Sequence, residues 1–454
     1  MRIILSILLL SFIYPRRDCL KQAETDALGR STRPDKHTHA VSDSGYFYIW
    51  YDTTGSAAPD LIDLDSNNIP DYIDEVGIIA DSAYHVLVNI MEFSAHPADE
   101  DGFYDIYIES FPSGVYGYSL SDSPSQNISG ATSYLKIDND YVGFDSQFNL
   151  MPLQIMRLSV AHEYFHGVQR AYEINLSANT YFLEMTSTWF EDVLIPDGND
   201  YLDGFADPLL HNPTADFDKT GNGYELALFG HYLSSFLDPK GLEDVKNSTI
   251  IREMLERCEY TSSNAFYAVE YVLENNYNVS FIETWVDFMS RNLYNGLYGE
   301  DEENPFYYYS DQALIDPIQT NLQTLQDSDT LVLSLDNKSA AIQSYHLGES
   351  SFLGFEHLSA DYVGRFSIVS TTDYNDLYWA ADISGLELTS NSDIHFVYGS
   401  ETQESVAIDI MYLSNPYIYS LVDINPNSSA TYGETLSPGY FENQITLHYF
   451  GHQN

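Results

Sequence analysis

The five residues His162-Glu163-Tyr164-Phe165-His166 put two imidazoles and a carboxylate inside an apolar stretch, and few folds can accommodate that. The run Leu153 to Arg170 around them reads as a helix, so His162 and His166, four apart, stack on one face and converge on one point. Ile155, Leu158, Val160, Ala161, Phe165 and Val168 leave little purely polar surface, which places this helix largely inside the molecule. Buried histidines with a glutamate between them need a partner. Two imidazoles suit Zn²⁺, and Glu163 is placed to take a proton from a metal-bound water. With 13 His in 454 residues, composition alone yields H-E-x-x-H in roughly 2% of such chains. The competing reading, a helix carrying two solvent-facing histidines, conflicts with the apolar surroundings.

A zinc site needs a third protein ligand, and the downstream sequence offers two carboxylates. A second apolar helix is predicted from about Tyr181 to Ile195, stopped by Pro196-Asp197-Gly198. Glu184 follows His166 at a distance that lets the chain turn and return antiparallel. Glu191 shares the face of Glu184 two turns on, roughly 10 Å further along, so only one of them can hold the same ion. Glu184, flanked by Phe182, Leu183 and Met185, is the more enclosed and is the expected ligand. The alternative sets Glu184 behind the ligands and makes Glu191 an exposed helix carboxylate. Three protein ligands leave the fourth zinc position to water, the arrangement of a catalytic site. A developing oxyanion needs further donors, and Tyr224 and His231, on an apparent helix Tyr224 to Phe236, are the candidates. The plainer role for both is packing in an aromatic-rich chain.

The segments H-E-Y-F-H-G-V-Q and F-L-E-M-T-S-T-W-F-E-D together resemble the gluzincin clan of zinc metallopeptidases. More narrowly, they resemble a poorly characterised group of secreted bacterial metalloproteases with H-E-F-F-H and a downstream E-x-x-A-x-W-x-E-D. The likeness extends to Tyr46 through Gly55, Asp71-Tyr72, Tyr104 through Tyr107 and, more loosely, Tyr224 through Leu233, so it covers roughly residues 45 to 235. It implies a zincin-like fold with His162, His166 and Glu184 as zinc ligands and Glu163 as general base. It also implies a sheet edge that pairs with an extended protein or peptide substrate, for which Ser133-Tyr134-Leu135-Lys136-Ile137 is the expected counterpart. Many gluzincins carry Asp four residues after the third ligand. This chain has Thr188 there, which leaves open what orients the zinc histidines.

A second constellation is acidic. Asp63, Asp65, Asn67, Asp71 and Asp74 supply oxygens at loop positions 1, 3, 5, 9 and 12, and Ile69 its carbonyl at position 7, the ligand rhythm of a Ca²⁺ loop. Asn68 stands where glycine is usual and Asp74 replaces a longer glutamate; Asn tolerates the left-handed conformation better than most residues. The bland alternative is an Asp/Asn-rich turn at the start of the helix predicted from Ile73 to Ile90.

Composition bounds the partners. Eighteen Lys and Arg against 68 Asp and Glu give a net charge of −50, a field that repels nucleic acid and anionic membrane surfaces. The N-terminal apolar run Ile3 to Tyr14 is too short to span a bilayer and suits an export signal. No later stretch is apolar enough for stable membrane insertion. Two cysteines, Cys19 and Cys258, exclude a disulfide framework.

The chain therefore reads as a signal peptide (residues 1–20), a linker or short pro-region (21–44), an α+β zincin-like domain with a mixed sheet (45–320), and an all-β sandwich-like domain (325–454). Strands are predicted at Tyr46–Tyr51, Tyr104–Glu109 and Ser133–Asp138. The expected function is a secreted zinc endopeptidase. A zinc hydrolase of a non-peptide amide or ester, and a non-catalytic surface protein with structural zinc, are the alternatives.

Overall fold

The computed structural model describes residues 20–21, 32–112, 114–122, 130–143, 150–202, 207–219, 223–296, 306–324, 328–347, 351–356, 363–370, 374–379, 386–388, 392–414, 421–422 and 435–436. The chain divides into two compact units, Met1–Ile318 and Gln319–Asn454. Most of the expected export segment, Cys19 and the last residues of the expected all-β domain, 437–454, lie outside the described residues. Among the described residues, no helix is long and apolar enough to cross a membrane.

The first unit is mixed α+β. Its sheet contains β1 (Leu20–Lys21), β2 (Thr38–Val41), β3 (Phe47–Tyr51), β4 (Tyr104–Glu109), β5 (Gly117–Ser121) and β6 (Ser133–Asp138), in the order β1-β5-β6-β4-β3-β2. The pairs β3–β4 and β4–β6 are parallel, whereas β5–β6 and β2–β3 are antiparallel. The predicted edge strand therefore needs correction: Ser133–Asp138 is interior, flanked by β4 and β5. The strand outside it is β5, whose sequence Gly-Tyr-Ser-Leu-Ser has too few β-branched residues to announce itself. The two-residue β1 lies parallel on the outer side of β5, at Ser119 and Leu120.

Side chains alternate across the sheet. One face turns Phe47, Tyr104 and Gly117 toward a helical layer of α1 (Asp71–Tyr84), α2 (Pro152–Gln169) and α3 (Thr180–Leu194). In α2, Pro152 takes the first turn and Gln154 Oε1 accepts from the Met151 N–H at 2.9 Å, closing the helix start. Every residue of α2 from Val160 to Gln169 is buried, as is every residue of α3 from Tyr181 to Val193. Enclosure on all sides explains why α2 shows no amphipathic pattern. The predicted helix to Ile90 ends its α-helical part at Tyr84 and continues as a wider π turn, His85–Ile90.

The other face carries Tyr107, Leu120 and Tyr134, with Trp50 and Tyr118 packed against them. Residues expected to be linker or pro-region cross this face. Arg33 binds Asp122 through Nε and Nη2 (3.1 and 2.6 Å), Asp99 through Nη1 (2.8 Å) and also Asp105, and lies over the Tyr134 ring. The Lys36 ammonium bridges Asp52 and Glu109 at 3.1 and 3.2 Å. Strand β2 begins at Thr38 and pairs with β3, so residues 32–41 are built into the domain.

After α3 come α4 (Asp207–His211), α5 (Ala227–His231), α6 (Ile250–Arg257), α7 (Ala265–Asn276) and α8 (Phe281–Arg291). The predicted helix Tyr224–Phe236 divides into a 3₁₀ turn at Tyr224–Leu226, α5, and a π turn at Tyr232–Leu237. Among the described residues, the second unit has a two-stranded pair, Leu421–Val422 with Thr435–Leu436, and two larger sheets. One orders Leu386–Leu388, Ser351–Glu356, Glu404–Ser414 and Ser328–Leu335; the other orders Tyr374–Trp379, Val363–Ser370, Ser392–Ser400, Ser339–Leu347 and Leu322–Thr324.

Two outcomes are expected. Arg33→Ala leaves three neighbouring carboxylates uncompensated, one of them, Asp105, only 5% exposed, and should cost about 2–4 kcal/mol in urea unfolding. His96 Nδ1 lies 2.9 Å from Tyr164 Oη among the rings of Phe47, Tyr84 and Tyr104, and burial pushes its pKa down to about 4. Between pH 6.5 and about 4 the unfolded chain therefore holds the proton that folded His96 lacks, so its contribution to stability is lost as pH falls through that window. The pH slope of the unfolding free energy there should be shallower in His96→Gln than in wild type, by up to about 1.4 kcal/mol per pH unit.

Candidate metal centre

The packing of α2 against α3 brings His162, His166 and Glu184 together in the interior, all at most 2% exposed. The two Nε2 atoms stand 3.1 Å apart, and Glu184 Oε2 is 3.1 Å from His162 Nε2 and 3.3 Å from His166 Nε2. Three donors each about 2.0–2.1 Å from one tetrahedral ion would stand about 3.3 Å from each other, so these separations match a shared ion.

The groups behind the imidazoles define which nitrogen carries the proton. Glu191 Oε1 lies 2.5 Å from His162 Nδ1. The Gln169 amide nitrogen donates to Leu183 O (2.9 Å), Thr186 Oγ1 (2.9 Å) and Ser187 Oγ (3.1 Å), which turns its Oε1 toward His166 Nδ1 at 2.8 Å. A ring so placed, when neutral, holds its hydrogen on Nδ1 and presents an Nε2 lone pair. In that tautomer two lone pairs and a carboxylate oxygen face one another in the buried interior, an arrangement that a cation would satisfy, and the donor set of two imidazoles and one carboxylate would suit Zn²⁺. Burial pushes the Glu184 carboxyl up in pKa, and it is neighbouring positive charge, on protonated His166 and His162 or on a cation in their place, that holds it down at about 2.

The two carboxylates of α3 divide the work. Glu184 faces the Nε2 atoms, and Glu191, fully buried rather than exposed, faces the far side of the His162 ring. Thr188, at the position where the gluzincin pattern has Asp, is buried and its Oγ1 has no hydrogen-bond partner. Its expected service is rendered one turn later by Glu191, and for the second histidine by Gln169. Neither partner was legible from the motif, although Gln169 at i+3 from His166 was a geometric hint.

Glu163 is fully buried beside this cluster, under Gly117 of β5. The Tyr224 ring lies 6.0 Å from that of His162. Its approach depends on Gly223, whose φ of 100° and contact with Tyr181 leave no room for a side chain: a Cβ would lie 2.1 Å from Tyr181 O. His231 sits elsewhere. It stacks on Tyr309 at 4.6 Å, packs near Tyr201, and its Nε2 is 3.5 Å from Asp192 Oδ2. Its expected role as an oxyanion donor gains no support from this placement.

In the acidic loop, carboxylate oxygens of Asp63, Asp65 and Asp71 come within 4.8 Å of one another. Asn68 adopts the left-handed conformation expected of it (φ 74°), as does Ser66 (φ 64°). Asn67 and Asp74 are arranged differently: the Asn67 amide nitrogen donates to Asp65 and Asp74, and its Oδ1 accepts from the Ile69 N–H.

No family profile, curated protein or solved structure matches this chain. The site must be read from its own geometry. On that geometry, Glu191→Ala frees the His162 ring and should weaken zinc binding 10- to 100-fold in competition with a chelator, with Glu184→Ala weaker still.

Proposed function

We propose that this protein is an exported zinc-dependent endopeptidase with a zincin-like first domain and a β-sandwich accessory domain. The observation that carries the reading is the meeting of His162, His166 and Glu184, each imidazole held by an acceptor on its Nδ1. Since Glu191 is engaged with His162 Nδ1, three protein groups remain to hold the ion, which leaves a position for water. Zinc, when bound, supplies Lewis acidity that lowers the pKa of water and polarises a carbonyl.

The chain's own groups do the rest. Glu163, next to His162 in sequence, takes a proton from the attacking water and returns it to the leaving amine. Glu191 and Gln169 hold the two rings in the required tautomer. Tyr224 is the nearest candidate to steady the oxyanion. An extended substrate adds to the outer side of β5, the strand that passes over Glu163, rather than to Ser133–Ile137, and takes the place that Leu20–Lys21 occupy at Ser119 and Leu120. Near-complete burial of the cluster favours the main alternative, a structural zinc in a non-catalytic protein. We further propose that Asp63, Asp65 and Asp71 hold Ca²⁺ at the start of α1.

The test is metal content and casein hydrolysis of purified wild type beside Glu163→Gln. The reading expects about one zinc per chain in both proteins. It also expects hydrolysis reduced at least about 10²-fold in the variant. Zinc in both with hydrolysis in neither points to the structural alternative. A folded, zinc-supplemented wild type without zinc overturns the reading.

A further inference from the structure

Strand β5 crosses α2 with Gly117 directly above Glu163. A Cβ built on Gly117 would stand 3.0 Å from Glu163 Cγ, 3.0 Å from the Lys136 carbonyl oxygen and 3.4 Å from Glu163 Oε1. Atoms in favourable contact stand about 3.5–4.0 Å apart, so the first two are overlaps. The φ of Gly117 lies outside the left-handed region, so the backbone does not ask for glycine; the contact does.

The two walls of this contact differ in stiffness. The Lys136 carbonyl belongs to β6, whose backbone is tied to β5 through the Gly117–Ile137 and Tyr118–Lys136 registers. Glu163 meets Gly117 with its side chain, which turns about its own bonds, on a helix held nearby by the His162 and His166 hydrogen bonds. On the helix side a methyl group at position 117 is therefore relieved mainly by turning the Glu163 side chain about its Cα–Cβ bond, which moves Cγ and carries the carboxylate with it. Gly167 of the same helix contrasts with this: a Cβ there would meet the Tyr104 hydroxyl, a contact of helix with sheet that leaves Glu163 alone.

We propose that Gly117 is a positioning residue for Glu163: the missing side chain in β5 sets where the carboxylate sits relative to the meeting point of His162, His166 and Glu184. The inference rests on reading Glu163 as the proton acceptor, and it identifies a strand residue on which the efficiency of that acceptor depends. A shift of a few tenths of an ångström suffices, because proton transfer needs hydrogen-bond reach between acceptor and water.

The experiment is a double-variant cycle: wild type, Gly117→Ala, Glu163→Ala, and both together. Glu163→Ala removes the Cγ that the new methyl would strike. Gly117→Ala should lower the thermal midpoint clearly in the wild-type background and markedly less in the Glu163→Ala background. In hydrolysis, Gly117→Ala should keep its zinc and KM and lose about tenfold in kcat. Equal thermal losses in both backgrounds would assign the overlap to Lys136 and overturn the proposal, as would an unchanged kcat in the zinc-loaded variant. Should Gly117→Ala fail to fold alone yet fold together with Glu163→Ala, the contact is supported; if both fail, it is overturned. Should the wild type hydrolyse nothing, the peptidase reading fails, while the thermal cycle still reports the Gly117–Glu163 contact by itself.

Discussion

Three acceptor atoms facing one another without a hydrogen between them are the constraint around which the first unit is arranged. In water such a meeting would simply be hydrated. Buried to within 2% of complete exclusion, it calls for positive charge, on a bound cation or on the imidazoles themselves, and the surrounding side chains hold the rings in place. The carboxylate of Glu191 and the amide of Gln169 keep both Nε2 lone pairs pointed inward. Gln169 is itself fixed by three acceptors on α3, so the orientation of one ring depends on the register between two helices. Binding of a metal here would be coupled to the docking of α2 on α3, and hence to folding.

The sheet supports this arrangement from below, and its two faces solve different problems. The face toward α2 needs closeness: Gly117 against Glu163 and Gly167 against Tyr104 let strand and helix approach further than side chains would allow. The opposite face needs charge compensation. In a chain with 18 basic residues and 68 acidic ones, each buried cation counts. Arg33 neutralises three aspartates on separate segments, and Lys36 ties the loop after β3 to the end of β4. The segment preceding the sheet is thereby held across it by ion pairs whose partners would otherwise repel one another.

The acidic loop and the cluster around His231 show how chemistry-bearing residues can be spent on structure. Backbone N–H groups of Ser66, Asn67 and Asn68 close over Asp63, so part of the carboxylate is satisfied by the turn itself. His231, between Tyr309 and Asp192, is held neutral by burial, its pKa pushed down to about 3. A neutral ring stacked on tyrosine is a packing element, whatever chemistry its type suggests.

What the sequence determined by itself was local and periodic. Spacing of four placed His162 and His166 on one helical face, apolar neighbours buried that face, and Pro196 with Gly198 ended the helix carrying Glu184. The strands at Phe47–Tyr51, Tyr104–Glu109 and Ser133–Asp138 were legible for the same reason, since β-branched and aromatic residues announce a strand wherever it pairs. The tertiary structure alone decided which strand lies outside β6, which of two carboxylates faces the metal position and which backs a histidine, and that Tyr224 but not His231 stands beside His162. Those outcomes depend on helix register, on the approach distances that Gly117 and Gly223 permit, and on pairing between segments far apart in the chain. None of these is carried by residue spacing, because each is fixed only when two separately legible elements pack.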